Sequence, residues 1–206
     1  PSNEFALRAF GVTLALRSKF GEAARHVDQA CEIDPLCLMA NTVAAWTRYL
    51  SGDVDRAIER CRHALHLFPD FGPAQRLLGA AYLKAGDDSR ARATLEASVK
   101  ADATDPIRLA WLAHLCAVSG ARAEAKELIA LALAQHTRRY VSSFHLAIAY
   151  AGLEEHDCAF AALDQAWLDR DPALATVTVE PRFDALRGDR RYVDLLGRLI
   201  DRKSVV

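Results

Sequence analysis

Residues equipped for chemistry are few in this chain and poorly spaced for it. His63 and His66 stand three apart with Cys61 close by, the nearest approach to a metal-ligand cluster. Cys61, however, falls at an apolar helix position that points into packing, and no second ligand pair supports the first at a zinc-site spacing. His114 and His145 fall where neighbouring helices could bring them together. Two histidines without a nucleophile or an orienting carboxylate form no catalytic set. A glycine-rich phosphate loop and a Gly-x-Ser-x-Gly elbow are both missing. Asp and Glu spread mainly over helix faces that read as solvated surface. The sequence therefore predicts no catalytic residues, no metal site and no cofactor, and a chain that is not an enzyme.

Composition narrows the remaining functions. The formal net charge of −1 over 206 residues removes the basic stripe that nucleic-acid binding requires. The stretch Arg182–Lys203 carries seven Arg or Lys, but Asp184, Asp189, Asp194 and Asp201 are interleaved with them. That pattern favours local ion pairs over a nucleic-acid contact. The five cysteines (Cys31, Cys37, Cys61, Cys116 and Cys158) form no Cys-x-x-Cys pair and read as free thiols of a reducing compartment. No apolar run has the length of a membrane span and no signal peptide opens the sequence, so a cytoplasmic location is expected. The excess of Arg over Lys and the abundant Ala suggest a GC-rich bacterial genome. The first helix pattern is under way by Glu4, with no initiator Met before it, which points to a fragment of a longer protein.

The elements that would position any site repeat with a fixed period. Asn41–Pro69 reads as two short helices: apolar-periodic runs Val43–Leu50 and Val54–Phe68 flank Gly52-Asp53, and Pro69 closes the unit. Stepping by 34 residues divides the chain into 4–37, 38–71, 72–105, 106–139 and 140–173. The eighth position of each unit holds Gly11, Ala45, Gly79, Ala113 and Ala147. The twentieth holds Ala23, Ala57, Ala91, Ala125 and Ala159, and the twenty-seventh Ala30, Ala64, Ser98, Ala132 and Ala166. Helices that approach more closely than the usual ~8–10 Å leave room only for small side chains. Gly52, Gly86 and Gly120 mark the turns inside units two to four. The fifth unit has Glu154 there instead, so its first helix is expected to end sooner, near Gly152. After Asp171-Pro172 the pattern changes: Leu174–Glu180 is β-branched and predicts an extended run. Pro181–Leu186 follows as a single turn capped by Glu180. Tyr192, Leu195, Leu196, Leu199 and Ile200 then line one face of a terminal helix expected to cover Leu163, Ala166 and Trp167.

The period and the small-residue offsets resemble the tetratricopeptide repeat. Gly79-Ala80-Ala81-Tyr82 and Leu146-Ala147-Ile148-Ala149-Tyr150 are similar to its Leu-Gly-x-x-Tyr segment, and Pro35 and Pro69 to its closing proline. The chain departs from the family at the usual first-helix Trp, where Leu7, Asn41, Gln75, Leu109 and Ser143 stand. Pro106 and Pro172 are displaced, and Thr137 replaces the proline of the fourth unit. The resemblance implies an all-α, right-handed α–α superhelix of five helix-turn-helix repeats (1–173), followed by an extended segment and a capping helix (174–206). The tail Val179–Leu196 is also similar to the end of tetratricopeptide regions in bacterial signalling proteins, which follow winged-helix regulator, class III adenylate cyclase or protein-kinase domains.

By resemblance, the first helices would line a concave groove for a protein or peptide. Carried over by position, its residues are Arg8, Trp46, Tyr49, Arg76, Lys84, His114 and Phe144, with apolar neighbours that include Phe5, Met39, Val118 and Ile148. Trp, Tyr and Arg dominate interface hot spots. The co-chaperone members of the family hold a carboxylate with Lys and Asn at the fifth and ninth positions. Arg8 and Val12 stand there, which argues against chaperone-tail binding. The expected function is a non-catalytic binding scaffold, the regulatory region of a bacterial signalling or transcription-regulatory protein, with intramolecular contact to an upstream domain as one option. The alternative is self-association as a homodimer.

Overall fold

A computed structural model describes residues 3–203, with side chains through Ile200. The described residues are helical with no strand, and they fall into two compact units, 1–103 and 104–206. The first unit holds three hairpins: α1 (Glu4–Ala15) with α2 (Phe20–Ile33), α3 (Leu38–Ser51) with α4 (Val54–Leu67), and α5 (Gly72–Lys84) with α6 (Asp88–Ala101). The second holds α7 (Pro106–Val118) with α8 (Arg122–Leu133), α9 (Ser143–Gly152) with α10 (His156–Leu168), and the terminal α11 (Arg190–Lys203). Short 3-10 helices follow α8 (Ala134–Thr137) and precede α11 (Pro172–Thr176 and Pro181–Leu186).

All fifteen small residues at the eighth, twentieth and twenty-seventh positions are buried. They lie where first and second helices cross. A Cβ added at Gly79 would stand 2.5 Å from Leu95 Cγ, and one at Gly11 would stand 2.5 Å from Val27 Cγ1. The side chain missing from one helix is the space filled by its partner's aliphatic residue.

The fourth position, where the family's Trp is absent, has a different use in the first unit. The Asn41 amide donates to the carbonyls of Pro35 (2.9 Å) and Cys37 (3.0 Å), and the Gln75 amide donates to the carbonyl of Pro69 at 2.9 Å. Each amide thus ties a first helix to the chain that ends the preceding hairpin. The Arg48 guanidinium, nearly buried on α3, reaches Asp28 of α2 at 2.6 Å, and Arg60 of α4 approaches the same carboxylate at 3.5 Å. One acid thereby links three successive helices.

The turn residue at position fifteen adopts a left-handed conformation in every hairpin: Ser18 (φ 58°), Gly52 (86°), Gly86 (77°), Gly120 (84°) and Glu154 (60°). The turn geometry therefore persists in the fifth unit without its glycine, while α9 ends at Gly152. Ser2 and Asn3 both have a side chain suited to capping α1; Asn3 does so, accepting from the Ala6 N–H at 3.4 Å, and Ser2 lies outside the described residues.

The expected extended run over Leu174–Glu180 is corrected. Pro172–Thr176 is a 3-10 helix whose Asp171 cap accepts from the Ala173 N–H at 2.9 Å, and a turn follows it. The β-branched residues are there to fill space: Val177 and Val179 are buried. Pro181–Leu186 is also a 3-10 helix, with the Glu180 carboxylate accepting from the Arg182 N–H. The core of this unit gathers Phe144, Phe160, Leu163, Val177, Phe183, Leu186, Tyr192 and Leu195, with Trp167, Leu196 and Leu199 against it. Helix α11 begins 34 residues after α10 does, and its ion pairs span the same interval: Arg191 to Asp157 at 2.7 Å, and Arg198 to Asp164 at 2.5 Å.

Candidate functional site

In the first unit, the groove positions fall on α1, α3 and α5. Phe5 and Met39 are 63% and 43% exposed, large apolar surfaces without cover among the described residues. Arg8 is held beside Phe5: its Nε donates to Glu4 Oε1 at 2.7 Å, and its guanidinium stands 5.2 Å from the centre of the Phe5 ring. Trp46 is partly exposed and packs against Leu14, Ala15 and Ala23. Tyr49 is buried and acts through its backbone and ring. Lys84 Nζ donates to its carbonyl at 2.9 Å and lies 4.8 Å from the ring centre. Arg76 is partly exposed on α5. This surface offers apolar area together with guanidinium and ammonium donors whose geometry is already fixed, which lowers the entropy cost of binding.

The second unit is different. Of its predicted groove residues, His114, Phe144 and Ile148 are inside the protein, and Val118, 47% exposed, reaches the surface. Phe144 is buried edge-to-face against Phe183, with ring centroids 5.4 Å apart, because the 3-10 helix Pro181–Leu186 lies across α9. His114 is buried too, its Nδ1–H donating to the Ile148 carbonyl at 3.1 Å. Burial, reinforced by the Arg182 charge, lowers the His114 pKa to about 4, so the ring is neutral at neutral pH. Helices α7 and α9 meet closely at this point: a Cβ on Gly152 would stand 2.7 Å from His114 Nδ1. His114 and Phe144 therefore drop out of any ligand-facing set.

A pair absent from the positional forecast lies largely buried between α7 and the tail of this unit. The Arg182 guanidinium lies 3.8 Å from the centre of the Trp111 ring and forks onto Glu180 through Nε (2.7 Å) and Nη2 (2.9 Å). Burial pushes the Glu180 carboxyl up, but the charge and hydrogen bonds of Arg182 outweigh it and hold the pKa below the usual value. The segment Glu180-Pro181-Arg182-Phe183 thus has a structural meaning at each residue: cap, helix start, stacked cation and core plug. The sequence signal was the tail motif; the Trp111 partner needed the fold.

Ser142, His145 and Asp171 also converge, in an order unlike that of a hydrolytic triad. Ser142 Oγ donates to Asp171 Oδ2 at 2.6 Å and lies 2.7 Å from His145 Nδ1. The hydroxyl therefore donates its hydrogen bond to the acid directly, whereas in a triad the histidine stands between them. Ser142 caps α9, and Asp171 ties the tail to it. At the other sequence candidate, Cys61 is buried with its thiol pKa pushed up by burial, while His63 and His66 are exposed. Among the described residues no cluster of three His, Cys, Asp or Glu could hold a metal ion, and no helix is long and apolar enough to cross a membrane.

Residues 48–115 match the tetratricopeptide repeat family model. No curated protein matches the sequence. Among solved structures, TTC0263, a thermophilic TPR protein of Thermus thermophilus, aligns over 96% of this chain and 100% of its own, with TM-score 0.67 and 19% identity. The APC/C hetero-tetramer Cut9–Hcn1 aligns over 96% of this chain with TM-score 0.63 and 22% identity. The chain spans only 43% of that one. YrrB, a TPR protein with an unusual peptide-binding site, aligns over 84% of this chain and 90% of its own, with TM-score 0.50 and 20% identity. The family match supports the tetratricopeptide family, and the structural likeness shows the fold: all-α, of the α–α superhelix class.

Proposed function

We propose that the chain is a non-catalytic scaffold that holds a protein or peptide partner on the first helices of its first unit. The observation that carries this reading is the exposure of Phe5 and Met39 on the first helices, with the guanidinium of Arg8 fixed beside Phe5. The match to a repeat family used for interaction, and the peptide-binding site named for YrrB, support it. The surface suits an extended segment that alternates apolar side chains with carboxylates. The tail resemblance extends the proposal to a regulatory region of a larger cytoplasmic bacterial signalling or transcription-regulatory protein, whose partner could be an upstream domain of the same polypeptide. The alternative is self-association, in which the repeat faces pair two copies of the chain.

The test is selection of binders from a random peptide library on the immobilised chain, followed by affinity measurements on Met39→Asp, Arg76→Glu and Lys84→Glu. Binders enriched in apolar and acidic residues, weakened tenfold or more by each change, are expected (about 1.4 kcal/mol). Binders indifferent to all three changes would move the site elsewhere, and a library without binders would remove the peptide reading.

A further inference from the structure

We draw no further inference here: the strongest candidate, the cleft of about 270 Å3 between α10 and α11 that Phe160, Leu163, Asp164, Arg191, Asp194 and Arg198 line, already has both arginines paired with acids of α10, and nothing in the structure shows what fills it.

Discussion

Arg182 covers the indole of Trp111 while both carboxylate oxygens of Glu180 accept its hydrogen bonds. Its side chain and that of Glu180 are only 9% and 5% exposed, so neither charge is solvated without the other. Removing one partner of a buried pair leaves the second charge uncompensated and costs about 3–5 kcal/mol. Arg182→Ala should destabilise the second unit on that scale, and the Trp fluorescence should shift to the red as Trp111 loses its cover. Arg182→Lys should recover little, since an ammonium neither forks onto the acid nor stacks on the ring. Unfolding midpoints at neutral pH check both changes, and a lysine variant as stable as the parent would refute the account.

His114 makes the same unit acid-sensitive before its carboxylates titrate. The folded pKa of about 4 lies below the ordinary 6.5, so the unfolded chain takes up a proton first as pH falls. Stability from this residue is complete above about pH 6.5 and is lost progressively towards pH 4, a difference of about 3 kcal/mol. Glu180, with its pKa lowered, adds its own loss only further into the carboxylate range. His114→Asn keeps a donor for the Ile148 carbonyl and does not titrate. Urea unfolding at pH 7 and pH 5 should therefore show a pH-dependent midpoint in the parent and a flatter response in the variant.

Glu154 performs a glycine's task. Its φ of 60° lies in the left-handed region, where a side chain costs about 1–2 kcal/mol. Glu154→Gly should raise the stability of the second unit by about 0.5–1 kcal/mol, the conformational relief being partly offset by the greater entropy of glycine in the unfolded chain. Gly120→Glu, which imposes the same strain in the preceding hairpin, should do the reverse. Thermal melts of both variants decide it.

The tail is expected to hold the second unit together. Tyr192 is buried and its hydroxyl donates to the Val177 carbonyl at 2.7 Å, so α11 and the chain before it are fastened at one atom. Tyr192→Phe should cost about 1 kcal/mol for the hydrogen bond. Tyr192→Asp, which puts a charge into this core, should cost several times more. Deletion after Pro172 should uncover Phe144, Leu163 and Phe160 and produce an aggregating protein. Light scattering and melting temperature report this directly; a truncated chain that melts with the parent and stays monomeric would deny the capping role.

The periodic part of this fold was legible because helix crossings constrain side-chain size locally: Gly79 can be read as small without knowing that Leu95 is what fills its place. The groove was less legible. Position along a repeat states which way a side chain leaves its helix, and for Phe5 and Met39 that direction ends in solvent. For Phe144 it ends at Phe183, from a segment 39 residues further on, and no local pattern contains that contact. The extended reading of Leu174–Glu180 failed for a related reason. Branched residues favour strands when a neighbouring strand is present, but Val177 and Val179 had only a helical core to enter, and 3-10 turns deliver them there.

Arg191 and Arg198 each reach an acid one full period behind them. The closing segment therefore keeps the length and the second helix of a repeat while its first helix is reduced to two short turns. In register, the described end of this array is laid on α10 as a shortened further unit and acts as a seal. Such a seal depends only on the unit directly before it. Duplication or loss of units further upstream would change the number of repeats and leave the end closed, so the array can vary in length without having to reinvent its boundary.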